Sequence, residues 1–195
     1  MLPPAPGPLT LHHLARRDSH APEPSAALCI PKTTDILEHI DSLSGAAHDA
    51  AHAKIRAVER AAMALQRPQP GLAELTRHLS ARGVRKAICT RNFDEPVAHL
   101  LATFVPGETF APIVTRAFRP PKPDPAGLLH IAREWGVEEG ERAEGMVMVG
   151  DSVDDMAAGA RAGATTVLLV NEVNAHLVGD EQTHITISRY VSEML

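Results

Sequence analysis

Three aspartates, Asp151, Asp154 and Asp155, fall within five positions in the stretch "GMVMVGDSVDDMAAGARAGATTVLL", directly after the apolar run Met146 to Val149 and Gly150. Like charges repel and each anion resists desolvation, so such a group calls for a cation. Carboxylates are hard oxygen ligands, suited to an octahedral Mg²⁺ that keeps several waters and a substrate phosphate. The i, i+4 spacing of Asp151 and Asp155 lets both face one ion at the start of a helix. Asp154 reads as a helix-start acid complementing the dipole. Two more polar positions have chemistry to offer. Thr90, in "AICTRN", carries a hydroxyl that could cradle an oxyanion together with the backbone N–H groups of Arg91 and Asn92. Lys122, in "PPKPDP", sits in a rigid proline turn and could neutralise a phosphoryl oxygen as a point charge. Each alone has a plainer reading: a strand-end threonine, a solvated lysine, acids at a helix N-terminus. Their specificity lies in the combination and its order.

All three positions share one geometry. Each lies just past the carboxyl end of an expected strand, where open parallel sheets bind ligands. From Gly71 onward strands and helices alternate. The strands are "VRKAICT", "APIVTR", "GMVMVG", "TTVLLV" and "HITIS"; the helices are "GLAELTRHLSARG", "DEPVAHLLATF", "DPAGLLHIAREWGV" and "VDDMAAGARAG". That alternation predicts right-handed βαβ units and a mainly parallel sheet, an α/β fold. Ahead of it, Thr34 or Asp35 can cap a short helix, with Leu37, Ile40 and Leu43 at helical spacing. A longer alanine-rich helix follows, with Ile55, Val58, Ala62 and Leu65 on one face, and "RPQPG" stops it. The expected organisation is a proline-rich, disordered segment over 1–27, a small helical unit over 28–68 and an α/β core over 69–195. Six of the 16 prolines lie in residues 1–24, which removes N–H donors and opposes both helix and strand.

Composition narrows the function classes. At 195 residues and 44% hydrophobic, the chain suits one domain with a small appendage. The net charge of −5 argues against nucleic-acid or anionic-membrane partners. No apolar run approaches the roughly 18 residues of a membrane span, and no secretory leader is expected because the N-terminus lacks a continuous apolar segment. Two cysteines, Cys29 and Cys89, make no disulfide framework and read as free thiols, so the cytoplasm is the expected compartment.

Thr90, then "KPDP" with Lys122, then "GDSVDDMAAGARAG" resembles, in that order, motifs two, three and four of the haloacid dehalogenase-like hydrolases, mostly phosphatases. The resemblance covers about residues 28 to 180, and the helices from Asp35 to Leu65 resemble the small cap such enzymes carry. It implies a Rossmann-like parallel sheet with an α-helical cap and a Mg²⁺-dependent phosphomonoesterase acting on a small phosphorylated substrate. By that resemblance Thr90 binds the phosphoryl group, Lys122 holds it against the nucleophile, and Asp151 and Asp155 ligate Mg²⁺, some of it through water.

The family's first motif is Asp-x-Asp-Gly-Thr after an apolar strand; its first aspartate attacks phosphorus and its second is the general acid and base. No two aspartates of this chain are separated by one residue, and Asp18, in "ARRDSH", follows no apolar strand. The motif's place is taken by the proline-rich segment, and the departure is abrupt near Ser25 to Leu28. An alternative start, alternative splicing or a gene-model error would each give that pattern. The motif's strand is central in the family's sheet, so the expectation is a first strand missing, or replaced poorly by "PLTLHHL". Little phosphatase activity and reduced stability follow, and a non-catalytic binding protein is the alternative.

Other readings carry less. A response-regulator receiver places its acidic pair first in the chain, whereas here it comes last. A dinucleotide-binding Rossmann protein needs G-x-G-x-x-G after its first strand, and "AAGARAGA" has glycines only at 159 and 163. His48 and His52, at i, i+4, could share a metal; two exposed histidines on a cap helix is the simpler reading. The tail is expected to close the domain with an edge strand and a short helix.

Overall fold

The computed structural model describes residues 8–11, 15–16, 23–63, 65–137 and 142–189. In chain order the elements are β1 (Leu9–Leu11), β2 (Ala15–Arg16), α1 (Pro24–Leu28), α2 (Ile36–Asp41), α3 (Gly45–Met63), β3 (Arg67–Pro68), α4 (Leu72–Ala81), β4 (Lys86–Cys89), α5 (Asp94–Phe104), β5 (Ile113–Val114), α6 (Ala126–Glu134), β6 (Val147–Gly150), α7 (Val153–Ala162), β7 (Thr165–Leu169) and β8 (Ile185–Ile187). Six strands form one parallel sheet in the order β5-β4-β1-β6-β7-β8. This is the α/β architecture that strand–helix alternation predicts. The sheet is covered on both faces, so successive side chains of one strand enter different cores. Ile88 joins Leu72, Leu75, Leu79 and Val149 on one face. Its neighbours Ala87 and Cys89 join Leu128, Ile131, Met148 and Ala158 on the other.

The central strand is replaced rather than missing. Leu9–Leu11 pairs with β4 on one side and β6 on the other, Leu11 standing opposite both Ile88 and Val149. The Leu9 N–H donates to the Arg85 carbonyl at 3.0 Å, and the Pro8 carbonyl accepts from the Val147 N–H at 3.0 Å. The expectation that β4 and β6 lose their common neighbour is thereby corrected. So is a disordered reading of Leu9–Leu11, both of whose leucines are fully buried. Two apolar residues suffice because the flanking strands supply the ladder. The replacement is imperfect, as the buried Thr10 hydroxyl has no hydrogen-bond partner among the described residues. Residues 12–14 and Asp18 lie outside the described residues, as does the helix expected after Arg189.

α1 to α3 form a helical unit whose own small core is Ile40, Ala51 and Ile55, with Leu28, Ile36 and Leu43 against it. Asp35 caps α2 as its position predicts, accepting from the N–H groups of Leu37 at 2.8 Å and Glu38 at 3.0 Å. Ile55, Val58 and Ala62 are buried along α3; Leu65 falls beyond the helix end and is exposed. The unit lies in the chain between β2 and β3, which pair antiparallel with Ala15 opposite Pro68.

Candidate functional site

The site is built from the N-terminus of α7 upward. Ser152 is its N-cap, and a capping box ties Ser152 to Asp155. The Asp155 Oδ2 atom accepts from the Ser152 hydroxyl at 2.7 Å and from the N–H groups of Asp151 at 3.1 Å and Ser152 at 3.2 Å. Oδ1 accepts from Lys122 Nζ at 2.6 Å. Gly150 makes this approach possible, since a Cβ there would lie 2.4 Å from the Asp155 Cβ. Lys122 Nζ also donates to the Cys89 carbonyl at 2.6 Å, at the end of β4 and next to Thr90. The structure thus brings Thr90, just past β4, and Asp151–Asp155, just past β6, to the carboxyl edge of the sheet on either side of β1, with Lys122 reaching both the end of β4 and Asp155. Thr90, Lys122 and Asp155 are all buried.

The loop after β4, where an oxyanion cradle is expected, is tied by hydrogen bonds of its own. The Thr90 N–H donates to the Val114 carbonyl at 2.8 Å. The Asn92 N–H donates to the Thr90 hydroxyl at 3.2 Å, which fixes that oxygen's direction. The Arg91 side chain spans the molecule: Nη2 donates to Asp35 Oδ2 at 2.7 Å and Nη1 to Asp154 Oδ2. Asp154 therefore pairs with an arginine as well as starting a helix. Burial raises the Asp35 pKa, but the Glu38 N–H and the Arg91 guanidinium outweigh it and hold the carboxyl below its ordinary range. Burial pushes the Cys89 thiol up, against the pull of Lys122.

Sequence reading missed Arg116 and Arg119, which line a narrow cleft with Leu37, Thr90, Arg91 and Lys122. The signal was present. Arg116 lies just past the carboxyl end of β5, the position that drew notice to the other three. Arg119 pairs with Asp41 of the helical unit at 3.2 and 3.3 Å. With Arg91–Asp35 and Arg60–Glu95 at 3.2 Å, it makes the third polar link between that unit and the sheet domain. Phe93, after the oxyanion loop, packs into the unit's own core.

His48 and His52 do meet, Nε2 to Nε2 at 3.2 Å, and both are half-buried rather than exposed. Burial first, then Arg116, His48 and Arg56, lower the His52 pKa; cations on that side oppose a bound metal ion. Magnesium needs about six oxygens in octahedral array. Among the described residues no three His, Cys, Asp or Glu side chains gather to hold a metal ion. Both Asp155 oxygens accept hydrogen bonds, Oδ2 from three donors and Oδ1 from Lys122, so much of its acceptor capacity is already used. The described residues therefore do not make a closed magnesium cage.

A sequence model of the haloacid dehalogenase-like hydrolases matches residues 17–163. An uncharacterized hydrolase of Saccharomyces cerevisiae is 45% identical over 160 residues, spanning 80% of this chain and 72% of the yeast protein. A phosphoglycolate phosphatase of Rhodospirillum rubrum is 36% identical over 103 residues, 51% of this chain and 40% of that protein. Among solved structures, CbbY from Rhodobacter sphaeroides in complex with phosphate superposes with a TM-score of 0.68 at 18% identity, covering 95% of this chain and 94% of that one. At that identity the likeness shows the fold, and it extends to both the sheet and the helical unit.

Proposed function

The chain belongs to the haloacid dehalogenase-like hydrolases, and from that premise we propose that it binds a small phosphomonoester at the carboxyl edge of its sheet and hydrolyses it poorly or not at all. One observation carries this reading: a buried lysine, Lys122, is fixed by Asp155 and the Cys89 carbonyl beside the Thr90 hydroxyl. A held cation next to a directed hydroxyl is a phosphoryl-recognition pair. Lys122 and Thr90, with the backbone of Arg91 and Asn92, bind the phosphoryl oxygens. Asp155 positions Lys122. Asp151 would ligate Mg²⁺, with Asp155 reaching it through water, and the ion when bound would offset phosphoryl charge. The attacking and proton-transferring aspartates of the family have no counterpart in the sequence, so the steps that need them lack their groups. The same features support a cytoplasmic protein that acts by binding alone, and the missing Asp-x-Asp is what favours that second reading.

The test is p-nitrophenyl phosphate turnover in the presence of Mg²⁺, with phosphate binding followed by calorimetry on the same sample. We expect phosphate binding that Lys122→Met removes, and no turnover above buffer. Clear turnover that Asp151→Asn abolishes would overturn the claim of poor hydrolysis.

A further inference from the structure

Three arginines, Arg91, Arg116 and Arg119, line the cleft that holds Lys122 and Thr90. Two of them reach carboxylates of the helical unit. Arg116 differs. It is 6% exposed, its guanidinium lies over the Phe93 ring at 4.5 Å from the centroid, and its Nη2 atom is buried with no hydrogen-bond partner among the described residues. Burial pulls its pKa down; Glu59 and Asp41 push the other way, and Arg119 and Arg91 add to the fall. An arginine stays charged in a protein even so. A buried guanidinium with an idle donor is costly unless an anion completes it. The loop that carries it is tied to the oxyanion loop, because the Arg116 N–H donates to the Asn92 carbonyl at 3.0 Å.

We propose that Arg116 is a second anion subsite, which takes a carboxylate or a second phosphate of a phosphomonoester whose first phosphate lies at Thr90 and Lys122. The substrate class is thus a small phosphomonoester carrying another anionic group. The subsite rests on the phosphate reading of Thr90 and Lys122. Planar, bidentate recognition of a carboxylate or phosphate is what a guanidinium does best.

Calorimetry on the full chain tests it with three ligands of one carbon skeleton: ethyl phosphate, 2-phosphoglycolate and ethane-1,2-diyl bisphosphate. At least one two-anion ligand should bind about tenfold or more tighter than ethyl phosphate, and the arm that does so identifies the second group. In Arg116→Gln that ratio should fall to about one. Should Arg116→Gln fail to fold, Arg116→Lys keeps the charge, loses the fork and should lower the ratio severalfold. A ratio near one in the unaltered chain, or a ratio retained in both variants, overturns the subsite while leaving the phosphate site standing. Failure of all three ligands to bind overturns both.

Discussion

Lys122 Nζ and Asp155 Oδ1 lie 2.6 Å apart, with side chains 3% and 0% exposed. Removing one partner of such a pair leaves an uncompensated charge in a low-dielectric interior. Lys122→Met keeps the length and removes the cation, so it should lower unfolding free energy by about 3 kcal/mol or more, read from urea denaturation. A loss below about 1 kcal/mol would show that the N–H and hydroxyl donors at the start of α7 carry the Asp155 charge unaided.

Gly150 exists where it does because Asp155 occupies the space a Cβ would need. Gly150→Ala should cost about 1–3 kcal/mol through overpacking, and it should weaken phosphate binding as Asp155 moves off Lys122. A variant of unchanged stability and unchanged phosphate affinity would contradict the close approach.

The buried Thr10 hydroxyl lacks a partner among the described residues in the middle of the sheet. Thr10→Val replaces it with a methyl of nearly the same shape and suits a strand. The variant should gain about 1 kcal/mol, measured as a raised urea midpoint with an unchanged slope. A destabilised Thr10→Val would mean that the hydroxyl is satisfied in solution.

Asp35 carries the Arg91 link from the helical unit. Its carboxyl is held below the ordinary value, so its stabilising contribution is complete above that ordinary value, about 3.9, and disappears as pH falls through the lower folded value. Asp35→Asn retains the helix cap and removes the charge. The half-exposed pair is screened, so the stability difference from the unaltered chain should stay below about 1 kcal/mol, constant from about pH 7 to 5, and vanish at lower pH. A difference that grows on acidification would invert the sign assigned here.

Much of this was legible in the sequence. The strands after Gly71 announce themselves by apolar runs, Asp35 by its place before a helix, Thr90 and Asp151 by following strand ends, Asp155 by its i, i+4 spacing from Asp151, and Lys122 by its proline turn. The central strand was not, because "PLTLHHL" has only Leu9 and Leu11 in its favour and its extended form is imposed by neighbours on both sides. The sequence points only to the backbone of Arg91, whereas its guanidinium pairs with Asp35 and Asp154, separated from it by 56 and 63 residues. Arg116 looks like any surface arginine until Phe93 and the helical unit close over it. These are effects of tertiary contact, which no local window contains.

The two-residue ladder of Ala15–Arg16 against Arg67–Pro68 sets the departure and return of the helical unit side by side. A module joined to its host through adjacent crossing points can change length or composition without disturbing the strand order beneath it. The helical unit can then diversify above a constant sheet, with Arg91 and Arg119, which pair with its carboxylates, as the points any replacement must meet.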